Sequence, residues 1–262
     1  MCIYNIPISQ CPNGYIHFNI QFIIKKDYIS KMKTFADKVI AFNKTVDFKG
    51  ELPAGIRMMN PFKEDKNILP LSSLFYKKYY TDNHPRHLIL GINPGRFGGG
   101  VTGIPFTDTK RLIEKCHIPY PGKVTHEPSS VFVYEAIDAY GGVEAFYKHF
   151  YINSICPLGF TATGLNGKEV NYNYYDSKEL TRAVFDFIIE SIQKQIAFGV
   201  NTDTCFCFGN GKNEKFLRQV NEEYRFFGKI IALEHPRFVM QYKSKAKQFY
   251  IDKYVSAFKK MR

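Results

Sequence analysis

The chain has 262 residues, 45% hydrophobic and 23% charged, a balance that supports a buried core and excludes a disordered polymer. No apolar run is long enough for a membrane-spanning helix. With 36 basic and 24 acidic side chains the net charge is +12, which points to a polyanionic partner, nucleic acid ahead of an anionic membrane surface.

In chain order, Met1 to Phe22 mixes Ile, Asn, Pro and Gly without period and lacks the basic start and cleavage site of a secretory signal. Residues 1–31 are expected to form a poorly ordered extension, with Met32 as an alternative start and residues 32–262 as one domain. The first helix is expected from about Asp27 to Phe42, with Asp27 as its cap and Phe35, Val39 and Phe42 on one stripe. Leu52 to Pro70 is rich in Pro, Gly and Asn and reads as loop. His87-Leu-Ile-Leu-Gly-Ile92 is a continuous apolar run, the pattern of a parallel strand buried on both faces, and Asn93-Pro-Gly95 ends it. Helices are expected over Thr107–Cys116, capped by Thr107 or Asp108, then over Ser129–Tyr140 and Val143–His149. Phe150–Ile155 is the second strand, closed by Cys156-Pro-Leu-Gly159. A polar, Tyr-rich loop runs to Asp176, and a long helix from Ser177 to Phe198 opens on a capping-box pattern, Asp176 with Glu179. Thr204–Phe208 is the third strand, followed by a helix to about Tyr224; Lys229–Glu234 is the fourth, and Ser244–Met261 a terminal amphipathic helix. This alternation predicts an α/β sandwich with a four-stranded, mostly parallel sheet.

The six cysteines, at 2, 11, 116, 156, 205 and 207, have no disulfide-framework spacing and no second pair to complete a zinc or iron–sulfur site. Cys205 and Cys207 lie in an apolar run and read as buried strand. No metal and no cofactor is expected. The expected compartment is the reducing cytoplasm, at the nucleoid in a prokaryote.

In an open parallel sheet, ligands bind beyond the carboxyl ends of the strands. Here those ends carry Gly91-Ile-Asn-Pro-Gly95, Asn153-Ser-Ile-Cys-Pro-Leu158, Gly209-Asn-Gly211 and Glu234-His-Pro-Arg237. Each alone makes an ordinary turn; together, at one end of the sheet, they predict a site. No G-x-G-x-x-G follows the first strand, Gly164–Lys168 does not fit a phosphate loop, and neither H-E-x-x-H nor G-x-S-x-G is present. What remains is an Asn, a His, glycines and aromatics, which suits stabilising a leaving group more than strong nucleophilic chemistry.

Gly91-Ile-Asn-Pro-Gly-Arg-Phe-Gly-Gly-Gly-Val-Thr-Gly-Ile-Pro-Phe106 resembles the first motif of single-strand-selective monofunctional uracil-DNA glycosylases, and His235-Pro236 resembles the second motif of the wider superfamily. Asn60-Pro-Phe62 matches an upstream element, Ile155-Cys-Pro-Leu158 sits where the family reads uracil, and the resemblance runs from about Phe35 to Arg262. It implies a three-layer α/β/α sandwich and cleavage of the N-glycosidic bond of uracil or a related base, without a metal or a lyase step. It further implies that Asn93 positions the attacking water, Gly95 leaves room beside the base, Phe106 stacks on the flipped base and His235 stabilises the departing anion. The partner implied is single- or double-stranded DNA containing a damaged base, met by a monomer and away from any membrane.

Two positions depart from the family pattern. Aligned on Cys156-Pro-Leu158, its base-reading Asn falls on Ser154, with Asn153 one residue early; either a bulge restores Asn153 or the serine reads the base. After His235-Pro236 stand Arg237 and Phe238 instead of Ser-Pro, so one of these is the candidate duplex wedge. Arg96, Arg237, Lys243, Lys245 and Lys247 are the candidate backbone contacts. The alternative reading is a catalytically weak nucleic-acid-binding protein on the same fold; a third is an enzyme of free nucleosides or nucleotides.

Overall fold

The computed structural model describes residues 33–164 and 167–261, of which Thr34 onward form one compact unit. The expected extension 1–31, the alternative start Met32 and the cap Asp27 lie outside the described residues. Helix α1 is Phe35–Thr45. Its cap is Thr34, whose hydroxyl accepts from the Asp37 amide while the Asp37 carboxylate accepts from the Thr34 amide, a reciprocal capping box.

The stretch expected as loop holds strand β1 (Ile56–Met59), the short helix α2 (Pro61–Glu64) and the start of α3 (Ile68–Tyr79). Pro61 and Pro70 were misleading as breakers, because the first turn of a helix has no partner for its N–H groups and tolerates proline. Strand β2 (His87–Gly91) leads into α4 (Gly99–Thr102) and α5 (Thr109–Glu114), the latter capped by Asp108. Then come α6 (Pro128–Tyr140), α7 (Val143–His149) and β3 (Phe150–Ser154).

The expected Tyr-rich loop instead contains a hairpin, β4 (Gly159–Thr163) and β5 (Glu169–Tyr172). The expected long helix is two, α8 (Lys178–Ala183) and α9 (Phe185–Ile196). They meet at Val184, where the backbone bends (φ −102°, ψ 5°) and the side chain is buried beside Leu180 and Ile188. Ser177, not Asp176, caps α8; the Asp176 carboxylate accepts from the Asn173 amide. Strand β6 (Asn201–Phe208), α10 (Lys212–Tyr224) and β7 (Lys229–Leu233) follow. Helix α11 (Pro236–Tyr242), absent from the sequence reading, begins at His235-Pro236, where proline again sits at the first helical position. A 3₁₀ turn at Ser244–Ala246 precedes α12 (Lys247–Lys259), so the terminal helix is shorter than expected.

The main sheet is fully parallel, in the order β3-β2-β6-β7. Helices cover both faces, giving three layers. On one face Phe35 of α1 and Phe198 pack on Tyr151 at 5.1 and 6.0 Å between ring centroids. On the other, Phe258 of α12 packs on Phe150 and Phe206, at 4.9 and 5.2 Å. A second, antiparallel sheet runs β1-β4-β5. From β2 the chain steps outward to β3 and then crosses back to β6, so the strand order reverses beside β2. A crevice opens at the carboxyl ends of the strands at such a point.

Candidate functional site at the carboxyl ends of the strands

A cavity of about 130 Å³ lies there, lined by Asn93, Gly95, Phe106, Glu127, Ser154, Asn171, Asn173, His235 and Arg237 among others. Its residues come from the end of β3, from the loops after β2, α4 and β7, from the start of α6, and from β5 and the residues just after it.

Asn93 is tied down at both ends of its amide. Nδ2 donates to the Tyr172 carbonyl and Oδ1 accepts from the Tyr174 amide, both at 3.1 Å. Each end keeps one further hydrogen-bonding position, so the amide can hold a small molecule in a fixed direction. Phe106 has φ +53°, a left-handed conformation costly for a residue with a side chain, on the order of 1 kcal/mol. That backbone turns its ring over Gly91, where a β-carbon would lie 2.6 Å from Phe106 Cε2. The ring packs edge-on to Phe208 at 5.4 Å and tilted against His235 at 5.7 Å. A flat slot bounded by an aromatic face suits a planar ring.

His235 caps α11: its Nδ1 accepts from the Arg237 amide at 3.2 Å. The proton of the neutral ring therefore sits on Nε2. Burial, helped by the Arg237 charge, pushes the imidazolium pKa down to about 4, so the ring is neutral near pH 7. The preceding residue is anchored, with Tyr254 donating to the Glu234 carbonyl and Lys253 to the Glu234 carboxylate at 2.7 Å.

The two candidate base-reading residues are separated by the pleat of β3, which pairs Leu90 with Asn153 and Gly91 with Ser154. Ser154 lines the cavity. Asn153 lines a different small pocket, with Phe42, Asn43 and Tyr76; its Nδ2 donates to the Tyr151 hydroxyl at 2.8 Å and its Oδ1 accepts from the Ser154 amide. The β2–β3 register is unbroken, so no bulge turns Asn153 into the cavity.

Glu127 was missed in the sequence because an acidic residue before a helix reads as an ordinary surface group. Its carboxyl projects beside the glycine-rich loop, in space that a β-carbon on Gly98 would fill. Burial, then the nearby Asp108 charge, raise its pKa to about 7, opposed by Arg237. Asp108 explains how Glu127 is placed. It is fully buried, caps α5 through the Arg111 amide, pairs with the Arg111 guanidinium at 2.9 Å and accepts from the Glu127 amide at 2.6 Å.

Of the candidate DNA contacts, Arg237 and Phe238 are exposed on α11, with Phe238 packed on Tyr242 at 5.5 Å. Lys243 and Lys245 are exposed between α11 and α12. Lys247 differs: it pairs with Glu135 of α6 and fastens α12 to α6. Arg96 donates its backbone N–H to Asn171 Oδ1 at 3.1 Å and lies 3.7 Å from Glu169. The upstream Asn60 is structural, donating to the Val46 carbonyl at 2.9 Å.

Among the described residues no group of three or more His, Cys, Asp or Glu could hold a metal ion, and no helix is long and apolar enough to cross a membrane. Residues 78–259 match the family model of the uracil DNA glycosylase superfamily. Among solved structures, that of wild-type Pedobacter heparinus SMUG2 is similar at 67% identity and a TM-score of 0.85, over 87% of this chain and 98% of that one. No curated protein matches the chain.

Proposed function

The chain belongs to the uracil DNA glycosylase superfamily and is a monofunctional DNA glycosylase of base excision repair; from that premise we propose how its residues divide the work. The deaminated base leaves the stack and enters the 130 Å³ cavity, face against Phe106 and edge toward Ser154. Asn93 orients the water that attacks the sugar carbon as the base departs. The neutral His235 donates Nε2–H to a base oxygen. That bond strengthens as negative charge collects on the leaving base, so it lowers the barrier more than it tightens substrate binding. With the bond to the base breaking early, the water needs positioning more than deprotonation: the glycosidic electron pair leaves with the base, the water oxygen bonds to the sugar carbon, and the surplus proton passes to solvent or to the released base. The Ser154 hydroxyl is short and reaches one edge group directly, or more through water. DNA is gripped by Arg237, Lys243 and Lys245, with Phe238 at the wedge position.

A single arrangement carries this reading: an amide locked at both ends, an aromatic face and a neutral imidazole around one base-sized cavity. The test is incubation with single- and double-stranded oligonucleotides bearing uracil, hydroxymethyluracil, hypoxanthine or xanthine. Abasic sites are expected, with uracil among the substrates and at least one second base accepted. Absence of product on every oligonucleotide, with binding retained, would favour the binding-protein reading.

A further inference from the structure

A second and larger cavity, about 540 Å³, lies against the first and shares Glu127, Ser129, Asn171 and Arg237 with it. Its other walls include Arg96 and Phe97 of the glycine-rich loop and His126. The first cavity is sized for a single base, whereas this one is in the size range of a small-molecule ligand.

Its chemistry is that of a nucleotide platform. Phe97 is 55% exposed, an unusual state for a large apolar side chain, and its ring carries the Arg96 guanidinium at 5.1 Å. Arg96 lies 3.7 Å from Glu169, whereas among the described residues Arg237 has no salt-bridge partner and stands where the two cavities meet. His126 Nδ1 faces Arg111 Nη2 at 2.7 Å and must accept there, which leaves Nε2–H as a donor on an exposed side chain. An aromatic face beside cationic donors is the common construction of single-strand binding grooves. Glu127 stands between the two cavities, so a strand with one base in the first would turn at Glu127 and lay its neighbour in the second.

We propose that this cavity is a subsite for the nucleotide next to the flipped one on the same strand, with its base on Phe97 and its phosphate between Arg96 and Arg237. The proposal rests on the glycosylase reading and names a specificity that this reading lacks: recognition of a flanking base as a stacking surface, which a single strand can offer and a paired one cannot.

The experiment uses single-stranded oligonucleotides with one uracil. The flanking nucleotide is left intact or replaced, on one side at a time, by an abasic spacer. Binding by fluorescence anisotropy and single-turnover cleavage are both measured. For the full chain, one of the two spacer positions should weaken binding by about tenfold, the size expected for one base–aromatic stack. Phe97→Ala should lose about as much on the intact strand and nothing further on that spacer strand, while Phe97→Trp should keep the wild-type response. A loss in Phe97→Ala that is the same on intact and spacer strands, or no spacer effect at either position, overturns the subsite. Failure of every protein to release uracil would refute uracil excision, on which the cleavage arm rests; the binding comparison would still decide the subsite.

Discussion

Asn93 is held from two sides by one short segment, Tyr172 to Tyr174, and that grip defines what its removal should do. Asn93→Ala is expected to lower single-turnover cleavage by roughly a hundredfold or more with DNA binding retained, because it takes away water positioning and leaves the phosphate contacts. Near-normal cleavage would remove Asn93 from the mechanism. Ser154 and Asn153 make a paired test. Ser154→Asn should shift the ratio of single-turnover rates toward uracil over hypoxanthine by on the order of tenfold, since an amide adds a directed donor and acceptor in a desolvated slot. Asn153→Ala should leave that ratio unchanged and cost about 1 kcal/mol of stability through the bond lost to Tyr151. The reverse pattern would mean that Asn153 swings into the cavity. Glu127 gives the pH dependence. Its folded pKa is raised to about 7, so the carboxylate's cost to stability is absent below the ordinary value of 4.5 and complete above about 7. A carboxylate formed beside a departing anion also opposes cleavage. Cleavage should therefore fall as pH rises through about 7, and Glu127→Gln should flatten that fall and raise the melting temperature at pH 8 more than at pH 4. An unchanged profile would place the Glu127 carboxyl out of reach of the reacting base.

At the scale of elements, α11 decides which cations face outward. It carries Arg237 and Phe238 on its exposed side and buries Val239. The break after Tyr242 then leaves Lys243 and Lys245 in solvent, while the next helix puts Lys247 against Glu135. Replacing Lys243 and Lys245 together with Ala should flatten the slope of log affinity against log salt by up to about two, one phosphate contact for each lysine. Lys247→Ala should leave the slope alone and loosen the packing of α12 on α6, read as a lower melting temperature. Equal slopes for wild type and the double variant would move the DNA contact elsewhere. The hairpin β4–β5 is the other decisive element. It supplies Asn171 to both cavities, and its carbonyl at Tyr172 helps fix Asn93.

For the whole molecule, the net charge of +12 supplies a binding term for any nucleic acid, and the carboxyl-end crevice supplies the selective one. Helix α1 is closed by its own capping box, and its first amides donate to Asp82 and Tyr80 within the same unit. A chain beginning at Met32 is therefore expected to keep the melting temperature and cleavage rate of the full chain. A drop of several degrees would assign residues 1–31 a structural part.

Much of this was legible along the chain because β2 and β3 are buried on both faces, and they and the edge strand β7 appear as short, largely apolar runs. His87–Gly91, Phe150–Ser154 and Lys229–Leu233 lie within one residue of where the pattern put them. The Asn-Pro-Gly and His-Pro turns stood out for the same reason, as sharp ends to those runs. Short elements near Pro, Gly and Tyr were lost: β1, α11 and the β4–β5 hairpin are four to seven residues long and held by tertiary partners rather than by periodicity. Only the fold could decide which side of β3 faces the cavity, because adjacent side chains on a strand point to opposite faces and the register comes from pairing with β2. The placing of Glu127 likewise needs the buried Asp108 to bring the start of α6 to the glycine-rich loop, a contact between residues 19 apart that no local pattern encodes.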